Sequence, residues 1–237
     1  MAELIDERAG PCRDEPHSIM RKTIARRLSE SKSTIPHYYL SVDVRADAMA
    51  AAREQFNATA NDRLSVNDIV VWCAARALLA HPLINASWRD DCIRYYSRAN
   101  VGVAMAVPGG LVVPVVKEAD QKPVIAIAAE LRDFARKAKE RKLKPFDWQG
   151  NTFTVSNLGM HGIDSFTAII NPPDSCILAV GAMREVPLVV SGQIVVGKVL
   201  NLTLCADHRV VDGAAGALFL KSLRESMEGM TASSLQQ

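Results

Sequence analysis

The stretch LTLCADHRVVDGAAGALFL, residues 202–220, passes from a strand pattern into a helix pattern within a few residues. Its first part closes an apolar run, 193–205, that reads as a strand entered from a hairpin turn at Ser191-Gly192. Its last part opens a helix over about Ala214 to Met227, directly after the Asp212-Gly213 turn. Between them, Asp207-His208-Arg209-Val210-Val211-Asp212-Gly213 sets an imidazole and a carboxylate four residues apart. Imidazole is the side chain best able to take and return a proton near neutral pH. Of the five histidines, at 17, 37, 81, 161 and 208, only His208 is followed by an acid at that distance. The pattern alone leaves two readings of His208 open, a general base or a histidine with a satisfied hydrogen bond.

The rest of the chain supplies both kinds of element. Met20, Ile24 and Leu28 form the apolar stripe of a helix over about Ser18 to Ser33, which Pro36 ends. Leu40, Val42 and Val44 then alternate along a strand, and a second helix covers about Ala46 to Phe56. Ser65 and Asp68 form a capping box that opens a helix running to about Ala80, stopped by His81-Pro82. Strands are predicted near 93–97, 101–107 and 111–116, the last two joined at Pro108-Gly109-Gly110. A long helix follows over about Val124 to Arg141, with Ile127, Leu131, Phe134 and Ala138 inward. Further strands are predicted at 152–156, 176–181 and 187–190. Mixed helices and strands in this order predict one α/β sandwich domain. Residues 1–17, polar and with two prolines, read as a flexible lead-in to a domain over 18–237.

A chain of 237 residues can bury one sizeable core. Its 49% hydrophobic and 23% charged residues and net charge of +2 give no reason to expect nucleic acid. The basic run Arg132 to Lys144 has acids among its bases and reads as a solvated helix face. Cysteines 12, 73, 92, 176 and 205 form no CxxC pair, which predicts free thiols in a reducing compartment. No segment has the length of a membrane span and the N-terminus lacks a signal-peptide core, so an intracellular, soluble protein is expected.

DHRVVDG resembles the signature of the dihydrolipoamide acyltransferases, the E2 core components of 2-oxo acid dehydrogenase complexes. MRKTIARRLSESKSTIPHYYLSVDV (20–44), GVAMAVPGGLVVPVV (102–116) and FTVSNLGMHGIDSFTAIINPPDSCILAVGA (153–182) resemble further blocks of that family, in family order. With 202–220 they span roughly residues 18–228. The resemblance implies the α/β fold of chloramphenicol acetyltransferase-like, coenzyme A-dependent acyltransferases, a two-layer sandwich of a mixed sheet with helices. It implies trimers with active sites between subunits, built into a cubic or dodecahedral core. It also implies transfer of an acyl group between dihydrolipoamide and coenzyme A, with acetyl-CoA and the lipoyl group as substrates.

By the same resemblance His208 is the base, Ser156 the hydroxyl that stabilises the oxyanion, and Asp212 an orienting carboxylate paired with Arg26 or Arg27. Other readings of these residues stay open: Ser156 as a turn residue, Asp212 as a helix N-cap. His37 and Tyr38 line a substrate channel by analogy, or simply enter a buried strand. No metal site is expected, since zinc catalysis uses three protein ligands and no HExxH is present. Gly109-Gly110 belongs to no GxGxxG or GxxxxGK loop, so no phosphate loop is expected. Trp72 departs from the lysine common in the family.

Ser-Thr-Ile-Pro-His-Tyr-Tyr-Leu-Ser at 33–41 and Asn-Pro-Pro-Asp-Ser-Cys-Ile-Leu at 171–178 resemble the pyruvate dehydrogenase type, which favours acetyl. Branched-chain and succinyl transfer, an acetyltransferase with a small-molecule acceptor, and a non-catalytic structural core are the alternatives. Nothing in the sequence resembles a lipoyl or subunit-binding domain, so lipoyl domains and the E1 and E3 components are expected as partners through other segments. The expected compartment is the bacterial cytoplasm or the mitochondrial matrix.

Overall fold

The computed structural model describes residues 4–6, 8 and 10–236. Elements run β1 (Leu4–Asp6), β2 (Gly10–Cys12), α1 (Ile19–Thr34), β3 (His37–Arg45), α2 (Asp47–Thr59) and α3 (Val66–Ala80). Short strands β4 (Ala86–Trp88), β5 (Ile93–Tyr95), β6 (Val101–Val103), β7 (Met105–Val107), β8 (Gly110–Val112) and β9 (Val115–Val116) follow. The remainder is α4 (Val124–Lys139), β10 (Phe153–Asn157), β11 (Cys176–Val190), β12 (Gln193–Asp207) and α5 (Gly213–Glu228). Six strands make a mixed sheet in the order β3-β12-β11-β10-β6-β9, parallel only at the β11-β10 and β10-β6 pairs. The α/β sandwich expected from the sequence is the fold. No helix among the described residues is long and apolar enough to cross a membrane.

Period-two alternation gives this sheet two distinct faces. Phe153, Val155, Leu178, Val180, Leu202 and Leu204 turn into one core with residues of α2 to α5. Phe153 and Phe219 meet there edge to face with centroids 5.6 Å apart, each burial contributing roughly 1.5–3 kcal/mol. The opposite face carries a small cluster of Ile35, Ile170, Ile177 and Cys205 under the extended segment 163–171. That segment is tied down by Ala182 N to Ile163 O (2.7 Å), Ala168 N to Cys205 Sγ (3.2 Å) and Ile170 N to His37 Nε2 (3.0 Å). Two glycines permit the close stacking. A Cβ on Gly181 would lie 1.9 Å from Asp164 O, and one on Gly159 would lie 2.6 Å from Gly181 O.

The capping box opens α3 as read, with Asp68 N donating to Ser65 Oγ at 3.2 Å and Ser65 N to Asp68 Oδ2 at 2.7 Å. Nine residues of α3 are buried, Trp72 among them. Arg76 lies over the Trp72 ring at 4.3 Å, and the indole N–H has no hydrogen-bond partner among the described residues. Several boundaries differ from the sequence reading. Residues 101–107 split at Ala104, whose N–H donates to Val155 O (2.9 Å) before β7 leaves to pair with β8. Residues 111–116 split at Pro114, which has no N–H to give a ladder. The runs 176–181 and 187–190 are one strand, continued through a register shift between Val180 and Met183. Strands β1, β2 and β4 have no counterpart in the sequence reading, and the paired β1 and β2 fall within the stretch 1–17 read as a lead-in. On α1 only Ser31 is buried, and Met20 and Leu28 remain 41% and 39% exposed.

Candidate active site

Strand β12 ends at Asp207, and the next five residues form a braced turn. Val210 and Val211 donate to Asp207 O at 3.0 and 2.9 Å, and both side chains are buried. The Asp207 carboxylate takes Arg209 Nε (3.0 Å) and Nη2 (2.7 Å) together with the Arg209 backbone N–H (3.0 Å). Such a forked, charge-assisted contact fixes geometry as well as adding energy. Arg209 also lies 5.1 Å from the centre of the Trp88 ring. With its two neighbours engaged on each other, His208 projects outward and is exposed. Its backbone N–H donates to Pro36 O at 3.1 Å.

Asp212 is the N-cap of α5, its Oδ1 accepting from Ala215 N at 2.8 Å. Among the described residues no arginine pairs with it. Arg27 instead donates to Pro172 O at 3.4 Å. Tyr38 sits across from Ala206 on β3, with its ring 4.6 Å from the His208 ring. The Tyr38 hydroxyl donates to Asp212 O at 2.7 Å. Burial above all, aided by the nearby Asp212 carboxylate, pushes that hydroxyl up to about 12. His37 has a different task. Its Nε2 accepts from Ile170 N, so Nδ1 holds the proton and donates to Ile35 O at 2.9 Å.

Ser156 lies near the end of β10, half-buried, on the sheet face opposite the helices. Its hydroxyl bonds to no described residue. Asn157 anchors the strand end, accepting Gly159 N at 2.8 Å and donating to Asn67 Oδ1 at 3.2 Å. Ser156 pairs with Ala179, Ala179 pairs with Thr203, and His208 comes five residues beyond Thr203. At the usual strand rise and spacing the two side chains are about 17 Å apart along the sheet and about 10 Å across it. One chain therefore joins His208 to Asp212 and holds Ser156 elsewhere.

A groove of about 930 Å³ opens beside Asn67, lined by Arg53, Arg63, Arg132, Lys198, Met105 and Met183 among others. Arg132 is paired with Asp62 at 3.3 Å, whereas Arg53, Arg63 and Lys198 have no described acidic partner. Glu54 and Asp68 also line the groove, Asp68 being engaged in the cap of α3, so the four cations outnumber the two acids. Sequence reasoning missed it, because its cations come from three separate elements and a connecting loop.

Beneath the open face, Asp174 is buried and accepts from Thr154 Oγ1 (2.6 Å) and Asn151 Nδ2 (2.8 Å), while its Oδ1 has no partner among the described residues. Burial raises its carboxyl to about 7, against the opposing pull of the two hydrogen bonds. An unfolded aspartate titrates near pH ~4. Between about pH 4 and 7 the folded chain thus holds the extra proton, so this group's contribution to stability falls as pH rises through that window. Asp174→Asn is expected to remove the slope and to gain on the order of a few kcal/mol at pH 8 relative to pH 4. Thermal melts of both proteins at several pH values test this; parallel curves would refute it.

A family model described as 2-oxoacid dehydrogenases acyltransferase (catalytic domain) matches residues 9–235. The chain is 46% identical over 217 residues to the dihydrolipoyllysine-residue acetyltransferase component of the pyruvate dehydrogenase complex of Rickettsia bellii, covering 90% of this chain and 52% of that protein. The corresponding protein of Rhizobium meliloti is 47% identical over 220 residues, covering 90% and 49%. The chain therefore spans about half the length of these relatives. Among solved structures, a probable dihydrolipoamide acetyltransferase from Listeria monocytogenes superposes with TM-score 0.89 at 32% identity, over 93% of this chain and 96% of that one. The dihydrolipoamide acetyltransferase of Azotobacter vinelandii superposes with TM-score 0.90 at 30% identity, over 96% of each. Chloramphenicol acetyltransferase, at TM-score 0.56 and 14% identity over 84% of this chain and 92% of that one, shares the fold alone. Fold, braced turn and matched residues agree: the chain belongs to the acyltransferases of the 2-oxoacid dehydrogenases and carries their catalytic domain.

Proposed function

We propose that residues 18–237 transfer an acyl group, acetyl by the motifs at 33–41 and 171–178, between dihydrolipoamide and coenzyme A. The observation that carries this reading is the braced turn presenting His208 with its ring against Tyr38. The Azotobacter structure concerns the role of one serine, one histidine and one asparagine in that enzyme's mechanism. There the serine precedes the histidine by 52 positions and the asparagine follows it by four, the intervals of Ser156, His208 and Asp212 here.

In this reading His208 takes the proton of the coenzyme A thiol, which is a poor nucleophile until ionised. The sulfur attacks the thioester carbonyl of the acylated dihydrolipoamide and a new carbon–sulfur bond forms. The Ser156 hydroxyl donates to the resulting oxyanion. Collapse breaks the bond to the dihydrolipoyl sulfur, which leaves as thiolate and takes the proton back from the imidazolium. Asp212 holds the turn by capping α5. The cationic groove accepts the phosphates of coenzyme A, the pantetheine arm running past Met105 and Met183.

Because one chain separates Ser156 from His208, the site is completed between copies, in a homotrimer. Trimers then build a cubic or dodecahedral core that lipoyl domains, E1 and E3 reach through segments outside this chain. The setting is the bacterial cytoplasm or the mitochondrial matrix. The exposed apolar residues of α1 and of the β11–β12 ribbon, Val189, Ile194 and Val196, supply contact surface for such assembly.

The assay is acyl transfer to free dihydrolipoamide from acetyl-CoA, succinyl-CoA and isobutyryl-CoA, with chloramphenicol as a hydroxyl acceptor. Acetyl transfer to dihydrolipoamide is the expected dominant activity. Acetylation of the hydroxyl acceptor with dihydrolipoamide ignored would sink the reading.

A further inference from the structure

The His208 ring finds no hydrogen-bond partner among the described residues, yet a base must present its nitrogen in one direction to work. We infer that Tyr38 is the positioning residue for the His208 imidazole, its ring setting the plane and its hydroxyl holding the turn that carries it. This rests on the reading of His208 as the base. Three contacts converge on the turn from β3 and the residues before it. Pro36 O takes the His208 N–H at 3.1 Å, the Tyr38 ring lies 4.6 Å from the imidazole at 56°, and the Tyr38 hydroxyl reaches Asp212 O at 2.7 Å. The same carbonyl accepts Gly216 N at 3.1 Å, the first bond of α5. Tyr38 thereby links both ends of the His208–Asp212 interval.

Gly216 supports this reading independently. A Cβ there would stand 3.0 Å from the Tyr38 hydroxyl oxygen and 2.6 Å from Leu40 Cδ1. The helix after the turn omits a side chain at the position facing Tyr38, which lets α5 settle on β3 with the hydroxyl beneath its first turn. Tyr38 is not a second acid or base. Its hydroxyl, pushed up to about 12, keeps its proton throughout the working range and remains a donor. Of the other charged groups at the turn, Asp207 and Arg209 are occupied by each other and Asp212 caps α5.

Tyr38→Phe and Tyr38→Leu, prepared in the full assembled chain, separate ring from hydroxyl. The Leu variant should lower kcat by about 10- to 100-fold, with KM for acetyl-CoA within about twofold of wild type. The Phe variant, which keeps the ring, should stay within about fivefold of wild-type kcat. Carbethoxylation of His208 by diethylpyrocarbonate, with His208→Ala as the blank, reads the same geometry without turnover. It should quicken in the Leu variant as the covered ring face is freed, and remain near wild type in the Phe variant. Gly216→Ala, which crowds the hydroxyl, should lower kcat in the same sense with the assembly intact. A Leu variant with wild-type kcat and wild-type carbethoxylation would overturn the assignment. So would a loss confined to KM or to assembly. A wild-type protein inert toward dihydrolipoamide would instead defeat the functional reading, while carbethoxylation would still decide the role of Tyr38.

Discussion

His208→Ala is expected to lower acetyl transfer by about 10²- to 10⁴-fold, the usual contribution of a positioned general base. The loss should reside in chemistry, not in folding. The side chain is exposed, and the turn is held by Asp207, Val210, Val211 and Asp212 without it. Melting temperature and assembled mass should therefore match wild type. The residual rate should climb with pH, because the acceptor thiol then ionises without assistance. Steady-state rates of both proteins across pH, beside a melt of each, make the test. A variant that keeps wild-type turnover would remove His208 from the mechanism.

Ser156→Ala should cost about 10²- to 10³-fold, the range for one oxyanion donor. Stability should hardly change, since the hydroxyl bonds to no described residue. The more telling measurement mixes the two defects. Unfolded His208→Ala and Ser156→Ala chains refolded together in equal amounts should recover activity at about a quarter of the sites if each site draws on two copies. Each homogeneous variant should stay low. A mixture no more active than its components would mean that serine and histidine act within one chain, against the spacing imposed by the sheet register.

The elements themselves were largely legible. Apolar alternation in β3 and β12, the four-residue stripe of α4 and the Ser65–Asp68 box each express a local rule, and each stands where the sequence put it. What escaped was decided by partners distant in sequence. After Ala104 gives its N–H to Val155 O on β10, the chain leaves that sheet to pair with β8, and no property of Ala104 itself announces that. The contact of Tyr38 with His208 joins residues 170 positions apart and exists only because β3 lies beside β12. Asp212 satisfies its capping reading, whereas among the described residues neither Arg26 nor Arg27 reaches it, Arg27 donating to Pro172 O instead. The cationic groove was invisible for the same reason as the Tyr38 contact, since tertiary folding alone gathers its residues.

The β11–β12 ribbon, with Val189 at 74%, Ile194 at 79% and Val196 at 77% exposed, also bears on how the protein survives in a cell. An uncovered strand pair with an apolar edge is a template for indiscriminate pairing during synthesis and dilution. If sister copies cover it, a lone chain is a short-lived species that chaperones and proteases compete to capture. Substitutions that weaken the contacts should then surface first as reduced soluble yield, long before any purified protein reports altered kinetics.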